Sequence, residues 1–117
     1  MADSPWACSC RLSSPTDALD HATHVFSGRV TASEDPYAGD VIQDSFNPVT
    51  ITLAVERVWK GDVGPTVQVE TARSGASCGF EFQQGEEYLV YAYDSHVSRC
   101  SRTKSLASAA EDLAALG

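Results

Sequence analysis

The longest regular pattern in the chain runs from Val49 to Lys60. Val49, Ile51, Leu53, Val55, Arg57 and Trp59 fall on one face of an extended segment, and Thr50, Thr52, Ala54, Glu56, Val58 and Lys60 on the other. Alternation with a period of two predicts a half-buried strand. Gly61-Asp62-Val63-Gly64-Pro65 breaks it, and Thr66 to Thr71 then alternates again as a shorter strand. Upstream, Val25-Phe26-Ser27-Gly28-Arg29-Val30-Thr31 reads as a strand in which Gly28 marks a bulge or a close approach. Cys78-Gly79-Phe80-Glu81-Phe82 reads as a further strand. Tyr88 to Tyr93 is apolar and aromatic on both faces, as a central strand must be.

Two helices bracket these strands. Ser14 suits an N-cap, Pro15 the first helical position and Asp17 the positive end of the helix dipole. Near the other end, Ser105 suits a cap for a helix from Leu106 towards Leu116. Leu106, Ala109, Leu113 and Leu116 share one stripe there, and Gly117 stands at the C-terminal cap. Glu34 to Asp40 reads as an exposed loop of a long hairpin. A short helix, about five antiparallel strands with an aromatic interior and a closing helix predict a mainly β fold, a five-stranded OB-like barrel. A two-sheet sandwich would call for more strands.

With 117 residues the chain holds one domain. Residues 1–7 read as an N-terminal tail and 8–117 as the domain. Sixteen acidic residues against eight basic ones give a net charge of −8. That balance argues against nucleic acid and anionic membrane surfaces as partners. No apolar run reaches the ~20 residues of a membrane span. Four cysteines read as disulfides, hence as an oxidising compartment, secreted or cell-surface. Met1 to Ala7 has neither the basic start nor the apolar stretch of a signal peptide, so the expectation is a mature form whose signal has been replaced by Met1.

The cysteines are Cys8, Cys10, Cys78 and Cys100. One intervening residue is too short a spacer for the ~5.5 Å Cα separation and torsion of an unstrained disulfide between Cys8 and Cys10. Two of the three connectivities remain, and both pin the N-terminus to the body of the domain. A zinc site would call for paired Cys-x₂₋₄-Cys knuckles, which Cys78 and Cys100 do not form. His21 and His24 have a spacing that could present both to one metal. No metalloprotease carboxylate motif accompanies them and His96 stands in another loop, so a solvated or helix-end role is the better reading. No Gly-x-Ser-x-Gly elbow is present, and the expectation is no enzyme, no cofactor and no metal of the chain's own. Trp59, Tyr88, Tyr91 and Tyr93 could line a ligand groove, but aromatics at strand spacing are more often core. A ligand-binding or hydrolytic OB-fold protein is therefore the weakest alternative.

Ala7-Cys8-Ser9-Cys10, Phe26-Ser27-Gly28-Arg29-Val30, Val58-Trp59-Lys60-Gly61, Cys78-Gly79-Phe80, Tyr88-Leu89-Val90 and Cys100-Ser101, in this order, resemble the netrin-like module. The likeness is to the N-terminal domain of the tissue inhibitors of metalloproteinases, in a secreted version of bacterial type, and covers nearly the whole chain from Cys8. The resemblance implies an OB barrel flanked by helices and the pairs Cys8–Cys78 and Cys10–Cys100. A third bridge usual in the inhibitors has no counterpart here. In the family, the α-amino nitrogen and carbonyl oxygen of the first cysteine chelate the zinc of a protease, and the next side chain, here Ser9, enters its specificity pocket. Seven residues precede Cys8 in this chain, so its nitrogen is an amide and a poor ligand. The resemblance thus implies a non-catalytic, extracytoplasmic protein-binding module with Cys8, Ser9 and Cys10 as its edge. A metalloprotease inhibitor acting through Cys8 would need N-terminal processing first.

Overall fold

A computed structural model describes residues 14–34, 48–72 and 79–117. Its first element confirms the local reading. Helix α1, Pro15–His21, starts at Ser14, whose side chain accepts from the Asp17 amide at 3.1 Å. Pro15 occupies the first turn, where a missing N–H leaves nothing unpaired. The strands are β1 (His24–Glu34), β2 (Pro48–Lys60), β3 (Thr66–Ala72), β4 (Glu87–Ala92) and β5 (Lys104–Ser105). They form one antiparallel sheet in the order β3-β2-β1-β4-β5.

The alternation of β2 holds only over its first half. Against β1, Gly28 pairs with Val55 but Ser27 with Arg57, and Phe26 pairs with Val58 but Val25 with Lys60. Glu56 and Trp59 are thus bulged out of the ladder. Each extra residue reverses which face the following side chains take. Val49, Ile51, Leu53 and Val55 accordingly pack on one side of the sheet, whereas Trp59 packs on the other and Arg57 is exposed. The single face expected from Val49 to Trp59 is therefore split. Gly28 sits at one of these shifts, and a Cβ there would lie 2.7 Å from the Ala54 carbonyl oxygen. The expected bulge and the expected close approach occur together.

Five strands were expected and five occur among the described residues, but not the same five. Around Cys78-Phe82 the described residues make one isolated bridge, Gly79 to Ser98. Phe80 and Phe82 instead turn inward against Tyr88, with ring centroids 4.7 to 5.7 Å apart in edge-to-face contact. The fifth strand is Lys104–Ser105, two residues with no pattern of their own. The closing helix is also shorter than its stripe suggested. Leu106–Ser108 is a 3-10 turn, Ala109 breaks the geometry, and helix α2 spans Ala110–Leu116. Ser105 makes no capping bond, and its hydroxyl donates to Ser108 Oγ at 3.0 Å.

The core has two parts, one on each side of the sheet. Phe26, Val30, Ile51, Leu53, Val69, Tyr88 and Val90 form the first. Val25, Leu89 and Tyr91 form the second with Ala18 and Ala22 from the α1 region and Ala109, and Leu106, Leu113 and Leu116 pack against it. Strand β4 feeds both, so its burial on both faces is as expected. Past β4 the chain crosses to the outer edge of β3. There the Glu70 amide donates to the Ser95 carbonyl, and the Val97 amide to the Glu70 carbonyl, both at 2.8 Å. This is a single parallel bridge between Glu70 and His96. Among the described residues no continuous ladder closes the sheet into a barrel. No helix among them is long and apolar enough to cross a membrane.

Candidate functional site

Of the residues that define the edge in the sequence, Cys8, Ser9, Cys10 and Cys78 lie outside the described residues. Cys100 lies within them and is disulfide-bonded. The bridge between Gly79 and Ser98 brings the residue that follows Cys78 beside the one two before Cys100. Gly79 and Ser98 thus meet, although 19 positions separate them in the chain.

Residues 98–104 are held there by a continuous set of hydrogen bonds. The Cys100 amide donates to Ser98 Oγ at 3.2 Å, and Ser101 Oγ donates to the Ser98 carbonyl at 2.8 Å. Ser101 and Thr103 hydroxyls meet at 3.0 Å, and the Tyr91 amide donates to Thr103 Oγ1 at 3.0 Å. Small hydroxyl side chains do this because they reach backbone groups of neighbouring turns without filling the space between them. Arg102, between them, has φ +68°. For a residue with a Cβ that backbone state is costly, and surrounding contacts must hold it.

The contact that holds it is a buried carboxylate. Asp112 of α2 is 1% exposed. It receives Arg102 Nε at 2.8 Å, Arg102 Nη2 at 2.8 Å, Lys104 Nζ at 2.7 Å and Tyr91 Oη at 2.7 Å. The guanidinium grips both carboxylate oxygens, the geometry in which arginine pairs best. Burial alone would push the Asp112 carboxyl up; the bonds from Arg102, Lys104 and Tyr91 outweigh it and hold the group well below the usual carboxylate range. The bond to Asp112 keeps Arg102 firmly protonated. Burial, then the Asp112 bond, pushes the Tyr91 phenol above its ordinary range. A carboxylate with four donors on its two oxygens has little accepting capacity left, so this cluster holds structure together.

None of these four residues was singled out for a role from the sequence, apart from Tyr91 as a core or groove aromatic. One signal was available. Asp112 stands three residues after Ala109 and next to Leu113, so it borders the apolar stripe of the closing helix, where an unpaired charge is untenable.

The histidines engage separate partners. The His21 ring turns back on the Asp17 carbonyl at 2.8 Å, and the His24 ring meets Thr23 Oγ1 at 2.9 Å. Among the described residues no three metal-ligating side chains converge. Of the candidate groove aromatics, Tyr88 and Tyr91 are buried in opposite halves of the core and Trp59 is half-buried under Arg57, whose guanidinium lies 4.6 Å from its ring centre. Tyr93 alone of the tyrosines in β4 and its continuation is notably exposed.

The segments that carry the resemblance hold fold-building roles. In Val58-Trp59-Lys60-Gly61, Lys60 Nζ donates to the carbonyls of Leu19 and Asp20 at 2.7 and 2.9 Å, satisfying the last turn of α1. Gly61 has φ +88°, and a Cβ there would come within 2.5 Å of the His24 ring and 2.7 Å of the Thr23 carbonyl. No sequence-family model matches the chain, and no curated protein matches it.

Proposed function

We propose that the chain is an extracytoplasmic, non-catalytic protein-binding module of the netrin-like type, with Cys8-Ser9-Cys10 as its binding edge. The observation that carries this reading is the Gly79–Ser98 bridge, between the residue that follows Cys78 in the chain and the one two before Cys100, together with the disulfide at Cys100. Two cysteines one residue apart at the N-terminus could each find a partner there. Pairs Cys8–Cys78 and Cys10–Cys100 would lay the edge along that end of the sheet and fix it before any partner arrives, which lowers the ordering cost of binding. The Glu70–His96 bridge supports the OB-barrel form of the proposal, because it lies where the edge strand β3 would have to meet the far side of the sheet.

Mapping of disulfide-linked peptides under non-reducing conditions tests the edge. Recovery of Cys8–Cys78 and Cys10–Cys100 is expected, and four free thiols in the secreted protein would sink the reading. The N-terminal residue of that protein, read by mass spectrometry, separates a plain binding module from an inhibitor. A chain beginning upstream of Cys8 excludes chelation by the chain end. One beginning at Cys8 moves the conclusion to zinc-protease inhibition, which titration against a zinc metalloprotease then measures.

A further inference from the structure

We propose that Asp112 is a positioning residue for the Cys100 arm of that edge, so that the closing helix α2 sets how the N-terminal cysteines are presented. The inference rests on Cys8-Ser9-Cys10 being the binding edge. Its geometric basis is independent of that reading.

Three observations combine. First, the bonds of Asp112 go to the cysteine-bearing segment: Arg102 and Lys104 lie two and four residues after Cys100 and contact the carboxylate at 2.7 to 2.8 Å. Secondly, Arg102 is held in a left-handed backbone state, so losing its fork would let this turn relax to a commoner path and carry Cys100 with it. Thirdly, Ser98, Ser101 and Thr103 link the same turn to the backbone of Tyr91, whose hydroxyl returns to Asp112. Hydrogen bonds thus tie the segment that follows Cys100 to β4 through Thr103 and to α2 through Arg102 and Lys104. Three of the four bonds that Asp112 receives come from the residues that directly follow Cys100.

The rate at which dithiothreitol reduces the Cys100 disulfide in the folded full-length chain, followed by alkylation and mass spectrometry, reads local opening of this turn. Arg102→Lys keeps the charge and cannot make the fork. It is expected to speed reduction about ten-fold, the loss of roughly one charge-assisted hydrogen bond. Lys104→Met removes one contact and should give about three-fold. Val69→Ala weakens the other half of the core and removes none of the bonds to Asp112, and should stay within about two-fold of the parent at a similar loss of melting temperature. Equal rates in Arg102→Lys and the parent would overturn the proposal. So would equal acceleration by Arg102→Lys and Val69→Ala, which would make the effect global. Should Arg102→Lys fail to fold, Lys104→Met against Val69→Ala decides on the same criterion. Peptide mapping in the same samples keeps the two claims apart. Cys100 paired with Cys78 breaks the edge reading and leaves the rate comparison standing.

Discussion

Tyr88 and Tyr91 lie three residues apart on one strand, both buried, and face opposite halves of the core. Tyr88 points towards Phe80 and Phe82, and its hydroxyl accepts an ordinary backbone amide, that of Gln83, at 2.7 Å. Tyr91 points towards the helices, and its hydroxyl donates to a buried, doubly cation-paired carboxylate. One half of the core is thus joined by apolar packing with neutral hydrogen bonds, such as those of Tyr88 and Thr71. The other is locked by charges that must all be present together. Truncating an apolar side chain removes the stabilisation which that side chain supplied. A buried charge left without its partner costs more, because its desolvation is no longer offset.

The largest effect that sharpens this contrast is Asp112→Ala. Removing the carboxylate takes away the acceptor that Arg102, Lys104 and the Tyr91 hydroxyl share. We expect a loss of about 4 kcal/mol in denaturant unfolding at neutral pH, the range for breaking a buried ion pair from one side. The acid limb of stability should change with it. Burial raises the Asp112 carboxyl pKa and the three donors more than reverse this, so its folded value lies below the ordinary 3.8. Its stabilisation is fully present above about pH 4 and is lost as the pH falls below that towards the folded value. The parent should therefore lose stability steeply on acidification below pH 4, and Asp112→Ala should lack that component.

Leu53→Ala tests the apolar half at the next scale. Leu53 of β2 is fully buried within the first half of the core, and its truncation should cost about 3 kcal/mol with no change in pH dependence. A loss larger than that of Asp112→Ala would reverse the ranking of the two halves.

What could be read from the sequence follows the same division. The start of α1 was legible at Ser14, Pro15 and Asp17, because capping depends on residues within three positions of one another. The inner half of β2 was legible through Val55, and misread beyond it, because bulges at Glu56 and Trp59 are set by pairing with β1 and leave no mark in composition. The segment at Phe80 and Phe82 alternates like a strand, yet its alternation serves packing against Tyr88. Lys104–Ser105, a real strand, is too short to show a pattern. The Asp112 circuit draws on residues 91, 102, 104 and 112, whose meeting is decided by how α2 closes over β4. For the candidate site, the sequence supplied the cysteines. The structure adds the Gly79–Ser98 bridge and the bonds from Arg102 and Lys104 to Asp112 shortly after Cys100.

The smallest expected effect is the most selective. Tyr91→Phe removes one donor from Asp112 and leaves the Arg102 fork and the Lys104 contact in place. The ring still fills its space among Val25, Leu89 and Ala109. Removing one hydrogen bond from a carboxylate that keeps its cations should cost about 1 kcal/mol, well below either truncation. Its signature is at alkaline pH. Burial first, and the Asp112 bond second, push the Tyr91 phenol above the ordinary 10.0. Between the two values the unfolded chain gives up the proton while the folded one keeps it. The contribution is therefore complete below about pH 10 and falls as the pH rises past it. In the parent, unfolding monitored from pH 9 to 11 should show that fall. Tyr91→Phe should be less stable than the parent at pH 8 and converge on it by pH 11. Parallel curves across that range would mean that Tyr91 ionises no differently in the fold than in the unfolded chain, and that the helix-side half owes its charged character to Arg102 and Lys104 alone.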